Sequence, residues 1–389
     1  MLLLGAVTAL PALSIDAYLP ALPTLARDLG TTPAAAQLTL TAVLLGIALG
    51  QLLGGPLSDR LGRRLPLLAG IVTFVVAALL CAVAPSLPVL VALRLLMGIG
   101  GGSAVVVARA VVRDQAEGAE AARVFARLML VMGVAPVVAP VLGAQLLHVT
   151  SWRGVFAGLV LLGIALLAVV VRALPESLPR RLRDDRSPVD TLRAFAALLR
   201  DRGFVGYVLA AALSSGAMFT YISASPFVLE DVYQLSPGAF SAVFASNAAG
   251  LIASSQLSAR LVGTTGPRPL LLVGLSVAAA GGAGLVAVAL TDGPLPLLLA
   301  ALFVTMASIG FVAPNATALA LQEHGAQAGT ASALVGLGQF VTGAVAAPLT
   351  GLVGGSGAAP LALVMAGFAA GALAASLLTR RPRAVVAVA

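Results

Sequence analysis

Long apolar runs alternate with short polar breaks along the whole chain. Runs near 20 residues match the length a helix needs to cross a hydrocarbon core. They occur at about 1–24, 36–57, 66–84, 87–110, 124–147, 153–172, 203–226, 237–258, 269–290, 294–317, 327–352 and 357–379. The pattern predicts an all-α polytopic membrane protein of twelve transmembrane helices. Most breaks are short and rich in Gly, Pro or charge. The long one at 173–202 divides the chain into a six-helix half at 1–172, a linker, and a second six-helix half at 203–389. In the linker, Arg180, Arg181, Arg183, Asp184, Asp185 and Arg186 read as solvated chain. After them Val189, Leu192, Phe195, Ala196 and Leu199 recur at helical spacing, either as a helix along the membrane face or as a plain surface helix.

Charge placement orients the spans. With the N-terminus inside, inward loops hold 20 of the 23 arginines, with eight of them between Arg172 and Arg202 and three at Arg380, Arg381 and Arg383. Outward loops hold only Arg27 and Arg153, and Arg94 lies within a span. The positive-inside rule then places both termini in the cytoplasm of a bacterial inner membrane.

Composition narrows the function classes. Hydrophobic residues make up 60% of the chain and charged ones 10%, with mean hydropathy +1.05; soluble domains carry about 25% charged residues. The net charge of +8 would suit nucleic acid, but the inward arginines account for it, so the expected partner is the bilayer. The chain has no lysine, which rules out a Walker-type phosphate loop and a Schiff base to pyridoxal phosphate. Cys81 is the single cysteine, and His148 and His324 are the only histidines, so no disulfide, metal centre or cofactor is expected. The first apolar run lacks a basic leader and is too long for a cleavable signal.

Gly55-Pro56-Leu57-Ser58-Asp59-Arg60-Leu61-Gly62-Arg63-Arg64 joins spans two and three. Gly62 permits a tight turn, while Asp59 can accept from a helix N-terminus or pair with an arginine. Such a cluster would latch the two halves on the cytoplasmic side when the outer side is open. The plainer reading is a topogenic basic loop, which needs neither Asp59 nor the glycine spacing. Ser58-x-Arg60-Leu61 returns as Ser258-x-Arg260-Leu261 after span eight, with Ala259 in place of the aspartate. Matching loops are expected of a duplicated transporter.

Arg94 opens Arg94-Leu95-Leu96-Met97-Gly98-Ile99-Gly100-Gly101-Gly102 in span four. An arginine inside a transmembrane helix costs roughly 2.5–3.5 kcal/mol on insertion scales, so it needs a partner, a wet cavity, or a route to the surface by snorkelling. The glycines mimic a dinucleotide loop, but Ser103 stands where the third glycine belongs. Asp16, between Pro11 and Pro20, is the one acidic residue well inside a span. Low dielectric disfavours an ionised carboxyl. Such a group can carry a proton, pair with a cationic substrate or with Arg94, or be held structurally near the outer mouth. The flanking prolines make a broken helix plausible. Tyr18, Gln51, Tyr221, Ser223, Ser225, Asn247, Asn315 and Gln339 are candidate substrate contacts, with interhelical hydrogen bonding as the alternative. Gly46-x-x-x-Gly50-x-x-x-Gly54 reads as helix packing.

The Gly55–Arg64 motif and the Arg94 run resemble the signatures of the major facilitator superfamily. Ser14-Ile15-Asp16-Ala17-Tyr18-Leu19-Pro20-Ala21, Ala108-Arg109-Ala110-Val111-Val112-Arg113-Asp114, Pro175-Glu176-Ser177 and Tyr221-Ile222-Ser223-Ala224-Ser225-Pro226-Phe227-Val228 are similar to the bicyclomycin and chloramphenicol resistance branch of its drug:proton antiporters. The resemblance implies a monomer, a small-molecule substrate and protons as partners, and proton coupling through Asp16 and Arg94. It implies a cytoplasmic gate of Gly55, Asp59, Arg60, Gly62, Arg63, Arg64, Arg109 and Asp114. Antiporters of this size carry G-x-x-x-G-P-x-x-G-G in span five. Here Gly133-Val134-Ala135-Pro136 precedes Ala139-Pro140-Val141-Leu142-Gly143. Alanine replaces the second glycine, and Pro136 and Pro140 are expected to break the helical ladder. The expected function is proton-coupled efflux of small, mostly apolar antimicrobials, and the alternative is a symporter importing an uncharged metabolite.

Overall fold

A computed structural model describes residues 2–115, 118–183, 193, 195–322, 324, 328–354, 357–377 and 379. The linker positions Asp184, Asp185, Arg186, Val189 and Leu192 and the terminal Arg380, Arg381 and Arg383 lie outside the described residues. The described residues form helices and no strand.

The first half comprises α1 (Leu2–Asp16), α2 (Leu22–Asp28), α3 (Pro33–Leu61), α4 (Arg64–Ala82), α5 (Leu87–Gln115), α6 (Gly118–Leu147) and α7 (Trp152–Ala173). The second comprises α8 (Arg202–Pro226), α9 (Pro237–Thr265), α10 (Pro267–Leu290), α11 (Leu295–Gln322), α12 (Ala328–Ala346), α13 (Leu349–Val353) and α14 (Ala359–Ser376). Ten helical segments among the described residues are both long and apolar enough to cross a membrane. The first joins α1 to α2, and another joins α8 to a π-helical turn at Phe227–Val232. The remaining two predicted spans fall on α6 and α9, which match by length, at 30 and 29 residues.

The internal repeat is visible in helix ends. Thr32 caps α3 by accepting from the Ala35 N–H at 3.2 Å, with Pro33 in the first turn. Ser236 caps α9 by accepting from the Ala239 N–H, also at 3.2 Å, with Pro237 in the first turn. Both helices run 29 residues and stop at a glycine with positive φ, Gly62 at 93° and Gly266 at 81°. An oxygen cap, a proline start and a left-handed glycine stop are each favoured where a helix begins or ends.

Glycines set the closest helix contact in the first half. A Cβ on Gly46 or Gly50 of α3 would collide with the carbonyl oxygens of Leu95 and Ile99 on α5. Conversely, Gly98 and Gly102 of α5 lie against the carbonyls of Val43 and Ile47. Backbones this close gain dispersion contact that larger residues would forbid. The glycine run after Arg94 is therefore a packing surface.

The linker residues just before α8 are helical at 195–198, and Phe195 and Leu198 are buried with Phe204 and Tyr207 of α8. This described part of the predicted surface helix packs on the second half.

Candidate transport site

Span one breaks immediately after Asp16. Ala17 still donates to the Leu13 carbonyl at 3.0 Å. The chain then turns through Tyr18 into a 3-10 segment at Leu19–Ala21 and resumes as α2. Pro20 and Pro23 cannot extend the α1 ladder because they lack an N–H, while Pro11 stays inside α1. Gly143 of α6 packs against the Ala17 carbonyl so closely that a Cβ there would overlap it.

Asp16 is 4% exposed and lines a cavity of about 880 Å³ walled by both halves. Among the described residues its carboxyl has no hydrogen-bond or ion-pair partner. Arg94 does not pair with it. The Arg94 side chain is fully buried, so it does not snorkel either. Its Nη1 donates to the Ser14 carbonyl at 2.9 Å, one of the last carbonyls of α1, where a cation meets the negative helix end. The guanidinium also lies 4.5 Å from the Tyr18 ring centroid and 5.6 Å from that of Phe156. These contacts offset its desolvation. Arg94 thus holds the broken helix end that carries Asp16 and stands outside the cavity wall.

The eight candidate contacts divide evenly. Gln51, Tyr221, Asn247 and Gln339 line the cavity. Tyr18 does not: it is fully buried beside Arg94, with its hydroxyl on Thr39. Ser223 donates to the Thr220 and Ala347 carbonyls at 3.1 and 3.0 Å. Ser225 is fully buried off the wall. Asn315 donates to Ser258 Oγ and to the Phe311 carbonyl, both at 2.7 Å. Tyr18, Ser223 and Asn315 each find these partners within their own half.

Pro136 and Pro140 correct another expectation. Both lie inside α6, which stays helical throughout. Proline's fixed φ is compatible with a helix even where its missing N–H costs a bond. Pro136 lines the cavity, and the Pro140 carbonyl accepts from Ser241 Oγ of α9 at 3.0 Å.

At one end the cavity reaches the Gly55–Arg64 motif, with Gly55, Asp59, Arg63, Arg109 and Arg113 in its wall. Here Arg63, rather than Arg60, is the hub. Its Nη1 donates to Asp59 Oδ1 at 2.5 Å and to Ser58 Oγ at 2.8 Å, and its Nε to Asp114 Oδ2 at 2.8 Å. Arg60 is exposed. Arg64 donates through Nη2 to the Val171 carbonyl at 2.8 Å. The N-terminus of α4 is held by Glu176 rather than by Asp59. Glu176 Oε1 accepts from the Arg63 and Leu178 N–H groups at 2.8 and 3.0 Å, and Oε2 accepts from Arg64 N–H at 3.3 Å. Partial burial opposes ionisation of Glu176. The three N–H donors, with Arg183 alongside, outweigh it and hold the carboxyl below its ordinary range. Gly62 is glycine for two reasons: its φ of 93°, and a Cβ there would stand 2.5 Å from Glu176 Oε2. All these bonds lie within the first half and the start of the linker, so in this conformation the cluster braces one half.

The opposite end is where the halves meet. Arg27 of α2 pairs with Asp231 at 3.0 Å. Gln37 donates to the Ser223 carbonyl and accepts from Thr350 Oγ1, each at 3.2 Å. Thr41 donates to the Ala344 carbonyl at 2.9 Å. Among the described residues the cavity thus extends to the motif end, while these bonds between the halves seal the other. Sequence reasoning missed Gln37, a lone amide in an apolar run, and undervalued Glu176.

Residues 4–347 match the description Major Facilitator Superfamily. The chain belongs to this superfamily. It is 37% identical over 352 residues to an uncharacterised transporter of the superfamily from Bacillus subtilis, covering 90% of this chain and 88% of that one. It is 31% identical to a bicyclomycin resistance protein homologue from Haemophilus influenzae, with the same coverage. A chloramphenicol resistance protein from Pseudomonas aeruginosa is 34% identical over 85% of this chain and 76% of its own length. The fold resembles the crystal structure of a nucleoside transporter with TM-score 0.80, covering 97% of this chain and 99% of that one at 12% identity. The protein is a multi-pass transporter of the inner membrane, and its drug-resistance relatives imply a small-molecule substrate.

Proposed function

We propose that the protein exports small, mostly apolar antimicrobial compounds in exchange for protons by alternating access. In this reading α6 and α9 complete twelve spans. The units are the halves 1–172 and 203–389 joined by the 173–202 linker, with both termini cytoplasmic. The motif end is then the cytoplasmic side, and the conformation described faces inward. Resistance relatives support the substrate class. The observation that carries the reading is Asp16: a buried, unpartnered carboxyl at a helix break, in the wall of a cavity shared by both halves. Such a group exchanges a proton with whichever side the cavity faces. It loads from outside, releases inward, and substrate occupies the chamber on the return. Arg94 positions it through the Ser14 carbonyl, and Asp59, Arg63 and Asp114 organise the cytoplasmic gate.

The test is substrate-induced proton release from acidified everted vesicles on adding chloramphenicol or bicyclomycin. Release is expected from the natural protein and not from Asp16→Asn inserted at equal level. Undiminished release by the variant would remove Asp16 from the mechanism, and absence of release with either compound would favour an importer.

A further inference from the structure

The sealed end of α8 carries two adjacent carboxylates, Glu230 and Asp231, that lie outside the lining of the cavity. After Pro226 the chain passes into the π-helical turn at Phe227–Val232, a rare form that recurs at functional positions. The turn leads to Gln234, a non-glycine residue with φ of 56°, and a side chain in that left-handed region is strained. Gln234 Nε2 donates back to the Asp231 carbonyl at 2.6 Å, and the Leu235 N–H donates to the Leu229 carbonyl at 2.9 Å. Strain of this kind persists only where the surroundings hold it. One holding contact comes from the other half, where Arg27 pairs with Asp231 at 3.0 Å.

Glu230 sits beside that pair. Its Oε1 is buried, and among the described residues it has no hydrogen-bond partner. The turn is packed by α2, α8 and α9. Of these, α2 brings Arg27 and Asp28, α8 carries no charge after Arg202, and α9 carries none before Arg260. Asp231 and Arg27 are the charges felt by Glu230, and Tyr233 follows the turn. Arg27 is already committed to Asp231, and Asp28 Oδ2 accepts from Trp152 Nε1 at 3.0 Å. Two carboxylates thus share one guanidinium. A buried, ionised oxygen without a donor is costly, and a proton removes that cost. Opening the seal would return Glu230 to water, where the charged form is solvated.

With the sealed end facing outward as proposed above, we infer that Glu230 is a proton-operated latch on the outer seal. Closing takes a proton onto Glu230 from the outer side. Loss of that proton sets Glu230 against Asp231 for the same arginine and drives the halves apart there. The proton returns to the side it came from, so the latch answers to outer acidity without adding to the protons carried by Asp16. It needs that orientation alone and works for either direction of transport.

Spin labels at exposed Val149 and Leu290 report the seal in the purified full-length protein. A Cys81→Ser, Asp16→Asn background leaves the cavity carboxyl out of the readout. Between pH 5 and pH 8 the ratio of long to short distances should rise about tenfold, as a one-proton difference between the two states allows. Glu230→Gln and Glu230→Met keep the bulk and remove the charge. Either should stay sealed across the range, with the ratio moving by less than about twofold. Glu230→Asp should keep the response, which a merely structural role would not require. A flat ratio in the background protein, or a response that survives in both neutral variants, would overturn the latch. Failure of proton release in vesicles with the distance response intact would sink the export reading and leave the latch standing. The reverse pair of results would sink the latch alone.

Discussion

Gln37 of the first half donates its side-chain amide to the backbone carbonyl of Ser223 in the second, at 3.2 Å, and is 2% exposed. With Thr350 on its other amide atom, Gln37 spans three helices at the sealed end. Removing it strips two buried bonds from the closed state only. Gln37→Leu should shift the equilibrium toward outward opening by roughly 1–3 kcal/mol, at about 0.5–1.5 per bond. Spin labels at exposed Val149 and Val232, in a Cys81→Ser background, should show a larger long-distance population. An unchanged distance distribution would mean the seal lies elsewhere.

Arg63 and Arg60 separate structural bracing from topogenic charge. The Arg63 side chain is 5% exposed and holds two carboxylates, whereas Arg60 is exposed. Arg63→Ala should lower stability by about 1.5–3 kcal/mol, the worth of charged hydrogen bonds. Arg60→Ala should stay within about 0.5 kcal/mol. Thermal unfolding in detergent compares them, and equal effects would dismiss Arg63 as hub.

Glu176 gives a pH dependence with a definite sign. Its folded carboxyl titrates below the ordinary range, so its stabilisation is complete above the unfolded value, about 4.3 for glutamate. It is lost only as pH falls through the lower folded value. Glu176→Gln should cost about 1 kcal/mol, given partial exposure. The gap to the natural protein should persist from pH 7 to pH 5 and close in stronger acid. A gap that closes between pH 7 and 5 would contradict the assignment.

The glycine lock between α3 and α5 is also testable. Gly50→Ala or Gly98→Ala inserts a methyl against a carbonyl on the facing helix. Overpacking of this kind costs about 1–3 kcal/mol. Gly55→Ala, on the same helix but with nothing within 4 Å of its Cβ position, should be tolerated structurally. Thermal stability of the three variants decides the point.

Much of this was legible in the chain because bilayer physics writes strong signals. Apolar run lengths located the helices, and Asp16 with its flanking prolines marked the break. Polar residues inside spans were harder to read. Asn315 and Gln339 look alike in sequence, yet one bonds Ser258 and the other lines the cavity. Helix rotation decides between them, and a run that is apolar all round carries little rotational information. Arg63 and Arg60 differ for a similar reason: the glycine turn at Gly62 redirects the chain and swings one inward.

The sealed end has a further consequence. Gln37, Thr41 and Ser241 all address main-chain oxygens, those of Ser223, Ala344 and Pro140. An acceptor that every amino acid possesses cannot be lost by point mutation. The accepting positions of these three bonds can therefore drift without breaking them, whereas the Arg27–Asp231 and Thr350–Gln37 contacts need the right side chain at both ends.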